Sequence, residues 1–412
     1  MRWQSGRQRK RSWGRPVTII VVAAVGLALL ATGSVFAYHH FKKPAKPAVV
    51  AKTVELAKNT TPPYTSVVGR YMFSGTIVLD RVVVSAAKGD TNQPFSQMDT
   101  FGTFDAGIAD LECPVTSDPN LFMINVDNPH FNCRPDWLPA LKKYFPIVKL
   151  SGNHTFDKGA AGFDTTVKNL QDAGIQAVGS YNPHTNPKNN CEVVAMPVRL
   201  EKTDGTEDKG TLPIAFCAFN YKTLFPDPAP GELELISQYS EVMPVFGFLQ
   251  DGVEYQTTAA QSTADLAHKF IDNGAQFVIA NGAHYVQNSE AYKGKPIVFS
   301  TGNFIFDQVD DESRRSVSIA IDMSVKYDDN VAKWLQLSKT CDTTARFDNC
   351  LAAAQNQGLT NFDVKLTYKP LAAVGGAHAV THLSSPAAQQ SILDRLNWTA
   401  TCSGLTGNVC AQ

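Results

Sequence analysis

An α/β domain is the fold class predicted for residues 70–400 of this 412-residue chain. Three observations predict it: strand-like and helix-like segments alternate, no repeat of solenoid length is present, and no linker-like break interrupts the stretch. In chain order, the apolar strand candidates are residues 71–79, 107–111, 146–150, 213–220, 276–281 and 296–300. Helix candidates are 135–144, 163–173, 259–273 and 386–396, the last with Ser385 placed to cap it. Residues 315–325 and 362–368 read as antiparallel additions, with a cysteine-bearing insertion between them and a cysteine-bearing tail at 401–412.

Composition, 43% hydrophobic and 18% charged, excludes disorder, collagen and coiled coil. The formal net charge of −1 argues against a nucleic-acid binder. It conceals an asymmetry, because residues 1–58 carry eleven Lys or Arg and one acid, Glu55, whereas the rest carries 26 basic and 37 acidic residues. Within the basic stub, Arg2, Arg7, Arg9, Lys10, Arg11 and Arg15 precede an uncharged apolar run at 17–38. At about 1.5 Å rise per residue that run is long enough for a hydrocarbon core of roughly 30 Å. A single-pass anchor is therefore expected, with residues 1–16 cytoplasmic and everything after Tyr38 outside. The alternative is a secretory signal cleaved near Ala37. Residues 39–69, rich in Lys, Pro and Ala, read as an extracytoplasmic stalk.

Eight cysteines in an exported chain suggest disulfides. Sequence alone leaves the connectivity open; pairing of chain neighbours is the simplest arrangement, Cys113 with Cys133, Cys191 with Cys217, Cys341 with Cys350 and Cys402 with Cys410. No pair has the spacing of a thiolate metal site.

Chemistry in an α/β sheet belongs at the carboxyl ends of its strands. Four segments place polar residues there: Asp110-Leu111-Glu112, Ser151-Gly152-Asn153-His154-Thr155-Phe156-Asp157, Asn281-Gly282-Ala283-His284, and Ser300-Thr301-Gly302-Asn303. Each alone has a structural explanation, since Asn-Gly and Gly-Asn mark turns and a lone His often serves as a hydrogen-bond partner. Together, carboxylate, amide and imidazole donors suit one hard-to-borderline divalent ion such as Mn, Fe, Zn or Mg. His154 and Asp157 are the candidate catalytic pair, His154 as acid or base and Asp157 as its orienting carboxylate.

In order and wording these segments resemble the capsule-synthesis protein CapA family, the poly-γ-glutamate capsule proteins, which is itself similar to calcineurin-like metallophosphatases. The resemblance runs from Phe73-Ser74-Gly75-Thr76 through the Asn153-His154 loop to Ser300-Thr301-Gly302-Asn303-Phe304. It implies a four-layer α/β/β/α sandwich, with two mixed sheets face to face. It also implies a role in making, exporting or attaching an envelope polymer, alongside other membrane proteins of polymer synthesis. Asp110, Glu112, Asn153, His154 and His284 stand at the family's ligand positions. Departures are as informative. Thr76 replaces a ligand Asp, Gln250 stands where a His is usual, and Gly282 replaces the first His of His-x-His. Asp80 and Asp251 are the candidate substitutes. Five donors suffice for one ion and hardly for the two of a binuclear hydrolase. A non-catalytic or partner-dependent envelope protein is thus expected, with a metal-dependent phosphoesterase or amide hydrolase as the alternative.

Overall fold

The computed structural model describes residues 64–118, 130–185, 187–222, 225–338, 348–407 and 409–411. The expected membrane span at 17–38 lies outside them, and among the described residues no helix is long and apolar enough to cross a membrane.

Strand β1 (Tyr64–Ile77) leads into α1 (Arg81–Ala87), β2 (Ala106–Leu111), α2 (Leu138–Tyr144), β3 (Ile147–Lys149), α3 (Gly159–Ala173) and β4 (Gln176–Val178). A second run comprises β5 (Cys191–Lys202), β6 (Glu207–Asn220), α4 (Glu234–Ser240), β7 (Val245–Gln250), α5 (Gln261–Asp272), β8 (Ala275–Asn281), β9 (Ser289–Tyr292) and β10 (Lys295–Val298). The chain continues through β11 (Asn303–Ile305), β12 (Arg315–Lys326), α6 (Asp329–Leu337), α7 (Asp348–Asn356), β13 (Lys365–Gly375), β14 (Thr381–Leu383), α8 (Pro386–Leu396) and α9 (Trp398–Gly404). Helix starts follow local chemistry: the side chains of Asp80, Asp328 and Ser385 each accept a backbone N–H at the first turns of α1, α6 and α8.

The α/β class holds, and the two expected sheets prove to be joined. All the strands belong to one hydrogen-bonded network that branches at β1. Residues 66–73 of β1 pair antiparallel with β12, whose far edge carries β13 and β14. Along its other edge, β1 pairs first with β5 through residues 64–68, then with β2 through residues 71–77. The β2 branch continues parallel into β3 and β4. The β5 branch continues through β6, β7, β8, β10 and β9, with β6, β7, β8 and β10 parallel. Residues 64–69, expected in a stalk, are thus part of the strand that joins the branches.

Apolar alternation faces the branches toward each other. Phe73 of β1 lies 5.4–6.3 Å, ring to ring, from Phe216, Phe246, Phe248 and Phe277 of the opposite branch. The odd positions of β6 turn outward, where Phe219 meets Phe270 of α5 at 5.3 Å. Helices α1, α2 and α3 cover the outer face of the β2 branch, in a second apolar cluster that holds Val83, Leu141 and Leu170.

Disulfides join Cys113 to Cys133, Cys191 to Cys217 and Cys402 to Cys410, as chain-neighbour pairing expects. Cys350 is disulfide-bonded as well, and Cys341 lies outside the described residues. The first bond ties the segment after β2 to the residues preceding α2, and Cys133 Sγ also meets the backbone N–H of Leu79. Because Phe73 is buried between the branches, Phe73→Ala should lower stability by about 3–5 kcal/mol, seen as a lower urea midpoint. A midpoint within error of the parent would refute its place at the centre of the core.

Candidate functional site

The facing of the two branches decides which side chains meet. Period-two alternation sends Asp110 of β2 and Lys149 of β3 into the gap, opposite Gln250 of β7 and Asn281 of β8, each at the carboxyl end of its strand. Lys149 is fully buried there. Its Nζ lies 3.4 Å from Asp110 Oδ1, 3.2 Å from Asn281 Oδ1 and 3.5 Å from Gln250 Oε1. Thr76 Oγ1 donates to the other Asp110 oxygen at 3.2 Å. Gln250, its amide oxygen turned to the ammonium, donates through Nε2 to Glu112 Oε1 and Asn153 Oδ1, both at 3.1 Å. Glu112 Oε2 is buried without a hydrogen-bond partner.

Burial of this pair is electrostatically costly. Desolvation pushes the Asp110 carboxyl up to about 6, against the pull of the Lys149 charge and with the push of nearby Glu112. Desolvation also moves the Lys149 ammonium downward, with Asp110 opposing.

Toward solvent, His154 Nδ1 contacts Asp157 Oδ2 at 2.9 Å, and the same oxygen accepts the Phe131 N–H at 2.7 Å. The His154 ring packs on Phe131 at 4.5 Å. Burial lowers the imidazole pKa, but the Asp157 hydrogen bond and the charges of Glu112, Asp157 and Glu254 together raise it above its ordinary value.

His284 stands apart from this network. Its Nδ1 meets Asn303 Oδ1 at 2.9 Å, and its ring lies between Tyr255 at 5.8 Å and Phe306 at 5.6 Å. Asn303 in turn donates to Gln308 Oε1 and the Ser313 carbonyl, so its role is to orient the imidazole. Neither candidate substitute joins the cluster. Asp80 accepts the backbone N–H groups of Arg81 and Asn132, at 2.7 and 2.9 Å, and so fixes two loops. Asp251 is half-buried one residue beyond Gln250, and its backbone N–H donates to the Asn281 carbonyl at 3.0 Å.

The structure therefore brings Asp110, Glu112 and Asn153 together through Lys149 and Gln250, places His154 with Asp157 beside them, and leaves His284 across the mouth. Among the described residues no group of three or more His, Cys, Asp or Glu is arranged to hold a metal ion. The divalent ion expected from the resemblance meets a donor set that is already engaged and so fits it poorly: the Lys149 ammonium faces Asp110, and Gln250 Nε2 donates to Glu112 and Asn153. Nor does the backbone admit the missing imidazole at position 282. Gly282 has φ +114°, and a Cβ there would lie 2.7 Å from the Asp251 carbonyl oxygen. Lys222, also buried, donates to the Gly282 and Gly252 carbonyls at 2.6 and 3.2 Å and pairs with Glu254 at 3.2 Å.

Lys149 and Gln250 escaped selection as site residues, although Lys149 sits among Ile147, Val148 and Leu150 and a cation in a buried strand demands a partner. Arg81 was overlooked too. It forks onto Asp307 and lies 4.7 Å over the Phe131 ring. Arg81, Tyr255 and His284 all take left-handed backbone conformations, with φ of +49°, +59° and +61°.

Two tests follow from this geometry. Lys149→Met, which strands a buried carboxylate, should cost about 3–5 kcal/mol in a denaturant titration, and Lys149→Met with Asp110→Leu should recover most of it. Strictly additive losses would show that the two charges do not depend on each other. The protonated His154 is favoured by folding, so its contribution is complete below the unfolded pKa of roughly 6.5 and fades as pH rises through the higher folded value. Asp157→Asn should accordingly lower Tm more at pH 5.5 than at pH 8.5; an equal loss at both would refute a stabilising charge interaction between Asp157 and the imidazolium.

Comparison with known proteins places the chain. Capsule biosynthesis protein CapA of Bacillus anthracis is 26% identical over 195 residues, 44% of this chain and 45% of that protein. PGA biosynthesis protein CapA of Bacillus subtilis is 23% identical over 249 residues, 57% of this chain and 63% of that one. A probable polyglutamine synthesis accessory protein of Mycobacterium tuberculosis is 25% identical over 199 residues, covering 43% and 50%. The chain thus spans about half the length of the curated relatives it matches first. The solved calcineurin-like phosphoesterase YfkN of Bacillus subtilis gives a TM-score of 0.39 at 12% identity over 82% of this chain and 99% of that one, a likeness too distant to assign an activity. Residues 70–204 and 233–308, which hold every strand end of the site described above, match the family described as Bacterial capsule synthesis protein PGA_cap, and the chain belongs to that family.

Proposed function

We propose that this chain acts in the assembly or attachment of a capsule or envelope polymer of poly-γ-glutamate type, by binding and not by metal-dependent hydrolysis. One observation carries the reading: the family match covers β2, β3, β7 and β8 and the loops at their carboxyl ends, while the carboxylates there are engaged by this chain's own lysine and glutamine. The names of the relatives, which concern capsule and poly-glutamate synthesis, support the polymer class. In this reading residues 17–38 anchor the chain with the domain outside the cytoplasm, next to other proteins of polymer synthesis, as the six cationic residues before Val17 favour. A strongly acidic exported part repels a polyanion at long range, so contact with such a polymer runs through a local basic group or a bridging cation.

The rival reading, a hydrolase with one divalent ion, is favoured by one observation, the His154–Asp157 pair beside the unpartnered Glu112 Oε2. The two are separated by experiment. Loss of the chain from its own host should lower cell-bound anionic polymer, and the purified full chain with MnCl2 should leave phosphoester and γ-glutamyl anilide substrates intact. Unchanged cell-bound polymer would sink the envelope role. Hydrolysis that EDTA abolishes and His154→Ala removes would establish the rival.

A further inference from the structure

We propose that the Lys149 ammonium is a built-in cation occupying a cation cage at the sheet edge, so that this chain uses a lysine where an oxygen-liganded divalent ion would otherwise balance its buried carboxylates. The inference concerns the charge at the site and holds whatever polymer or partner the chain serves.

Three side-chain oxygens, from three strands on two facing branches, converge on Nζ at 3.2–3.5 Å: Asp110 Oδ1, Gln250 Oε1 and Asn281 Oδ1. One carboxylate and two amide carbonyls form the donor set that hard cations take. Asn281 is held in that pose by its own donation to Thr301 Oγ1 at 2.8 Å, and Asp110 by Thr76. An ordinary buried ion pair needs only the carboxylate. Here two neutral amides also turn their oxygens inward, and Gln250 thereby presents its N–H group to Glu112 and Asn153. A single positive charge thus orders Asp110 directly and Glu112 through one amide. The cavity beside it, lined by Phe73, Ile108, Phe248 and Ile279 as well as Asp110 and Asn281, measures about 10 Å³, at the lower limit for a single water, so a hydrated ion has no room beside the lysine. Replacing the lysine by serine removes three methylenes and the ammonium, and leaves the oxygens facing an empty position.

The test uses the full chain, prepared in parallel with MnCl2 and with EDTA, and reads bound manganese after dialysis together with Tm. The wild-type chain should retain no stoichiometric manganese and show the same Tm in both. Lys149→Ser should bind one equivalent, and MnCl2 should raise its Tm by about 3 °C or more at a hundredfold excess over Kd. Recovery of folded Lys149→Ser only in the presence of MnCl2 supports the proposal equally. Lys149→Ser with Asp110→Asn should lose that binding, which separates the cage from surface sites. One equivalent of manganese on the wild type overturns the proposal. So does a Lys149→Ser chain that binds none, or that folds in neither condition.

Discussion

The shared strand β1 is the constraint on which the remainder of the structure depends. Its fourteen residues pair with β12 along one edge and divide the other between β5 and β2, so the two parallel branches leave from a single backbone. Once they diverge they cover each other, because Phe73, Phe246 and Phe277 bury their rings against one another in the gap between them. Their parallel directions then bring the carboxyl ends of β2 and β3 opposite those of β7 and β8. A side chain the length of lysine, pointing inward from β3, reaches β7 and β8. The site is a consequence of the branch, and no loop has to be invoked to assemble its inner part.

Energetically, the buried charges are a liability that the surrounding groups contain. Desolvating a carboxylate and an ammonium costs several kcal/mol each, and the pair recovers that only where geometry and extra hydrogen bonds are good. Asp110 and Lys149 both shift toward their neutral forms, which is the sign that burial is only partly offset. What the pair supplies is definition. Thr76, Gln250, Asn281 and Thr301 each have one arrangement that satisfies it, and this fixes the positions of Glu112 and Asn153 at the base of the cleft. A hydrophobic replacement could match the stability and would lose that ordering.

Much of the fold was legible because strand and helix periods are local. The carboxyl-edge segments ending in Glu112, Asn153 and His284 were legible for the same reason, each being a polar stretch directly after an apolar run. The disulfides Cys113–Cys133, Cys191–Cys217 and Cys402–Cys410 match the simplest of the many connectivities the sequence left open, the pairing of chain neighbours. Strand β5 was not picked out, because Pro197 interrupts its apolar pattern. The structure explains the tolerance: Pro197 pairs with Thr211 on one side, while β1 engages β5 only at residues 199–202. Residues 64–69 passed for stalk because nothing in Tyr64-Thr65-Ser66 announces a strand that is buried only when β5 and β12 flank it. The engagement of the carboxyl-edge donors was not legible for a different reason: Lys149 and Gln250, which face Asp110 and Glu112, come from other strands, and their convergence is set by the pairing of the branches.

The outer rim argues that the site retains a task. Left-handed conformations at Arg81, Tyr255 and His284 are each disfavoured for a side chain bearing a Cβ, by about 1–3 kcal/mol. Such strain persists where surrounding contacts impose it: the Asp307 fork on Arg81, the Gln308 bond to the Tyr255 hydroxyl and the Asn303 bond to His284. Arg81 opens α1 just beyond β1, Tyr255 and His284 lie in the loops after β7 and β8, and the aromatic and imidazole rings of Phe131, Phe306, His284 and Tyr255 form one connected series. If the cleft had only a packing role, relaxed backbones at these positions would stabilise the chain with no loss elsewhere. Under the proposed binding role, a strained aromatic rim above the Asp110–Lys149 pair would hold an extended ligand in one register. Shape at the rim is set by the strained backbones, and charge beneath it by the Asp110–Lys149 pair.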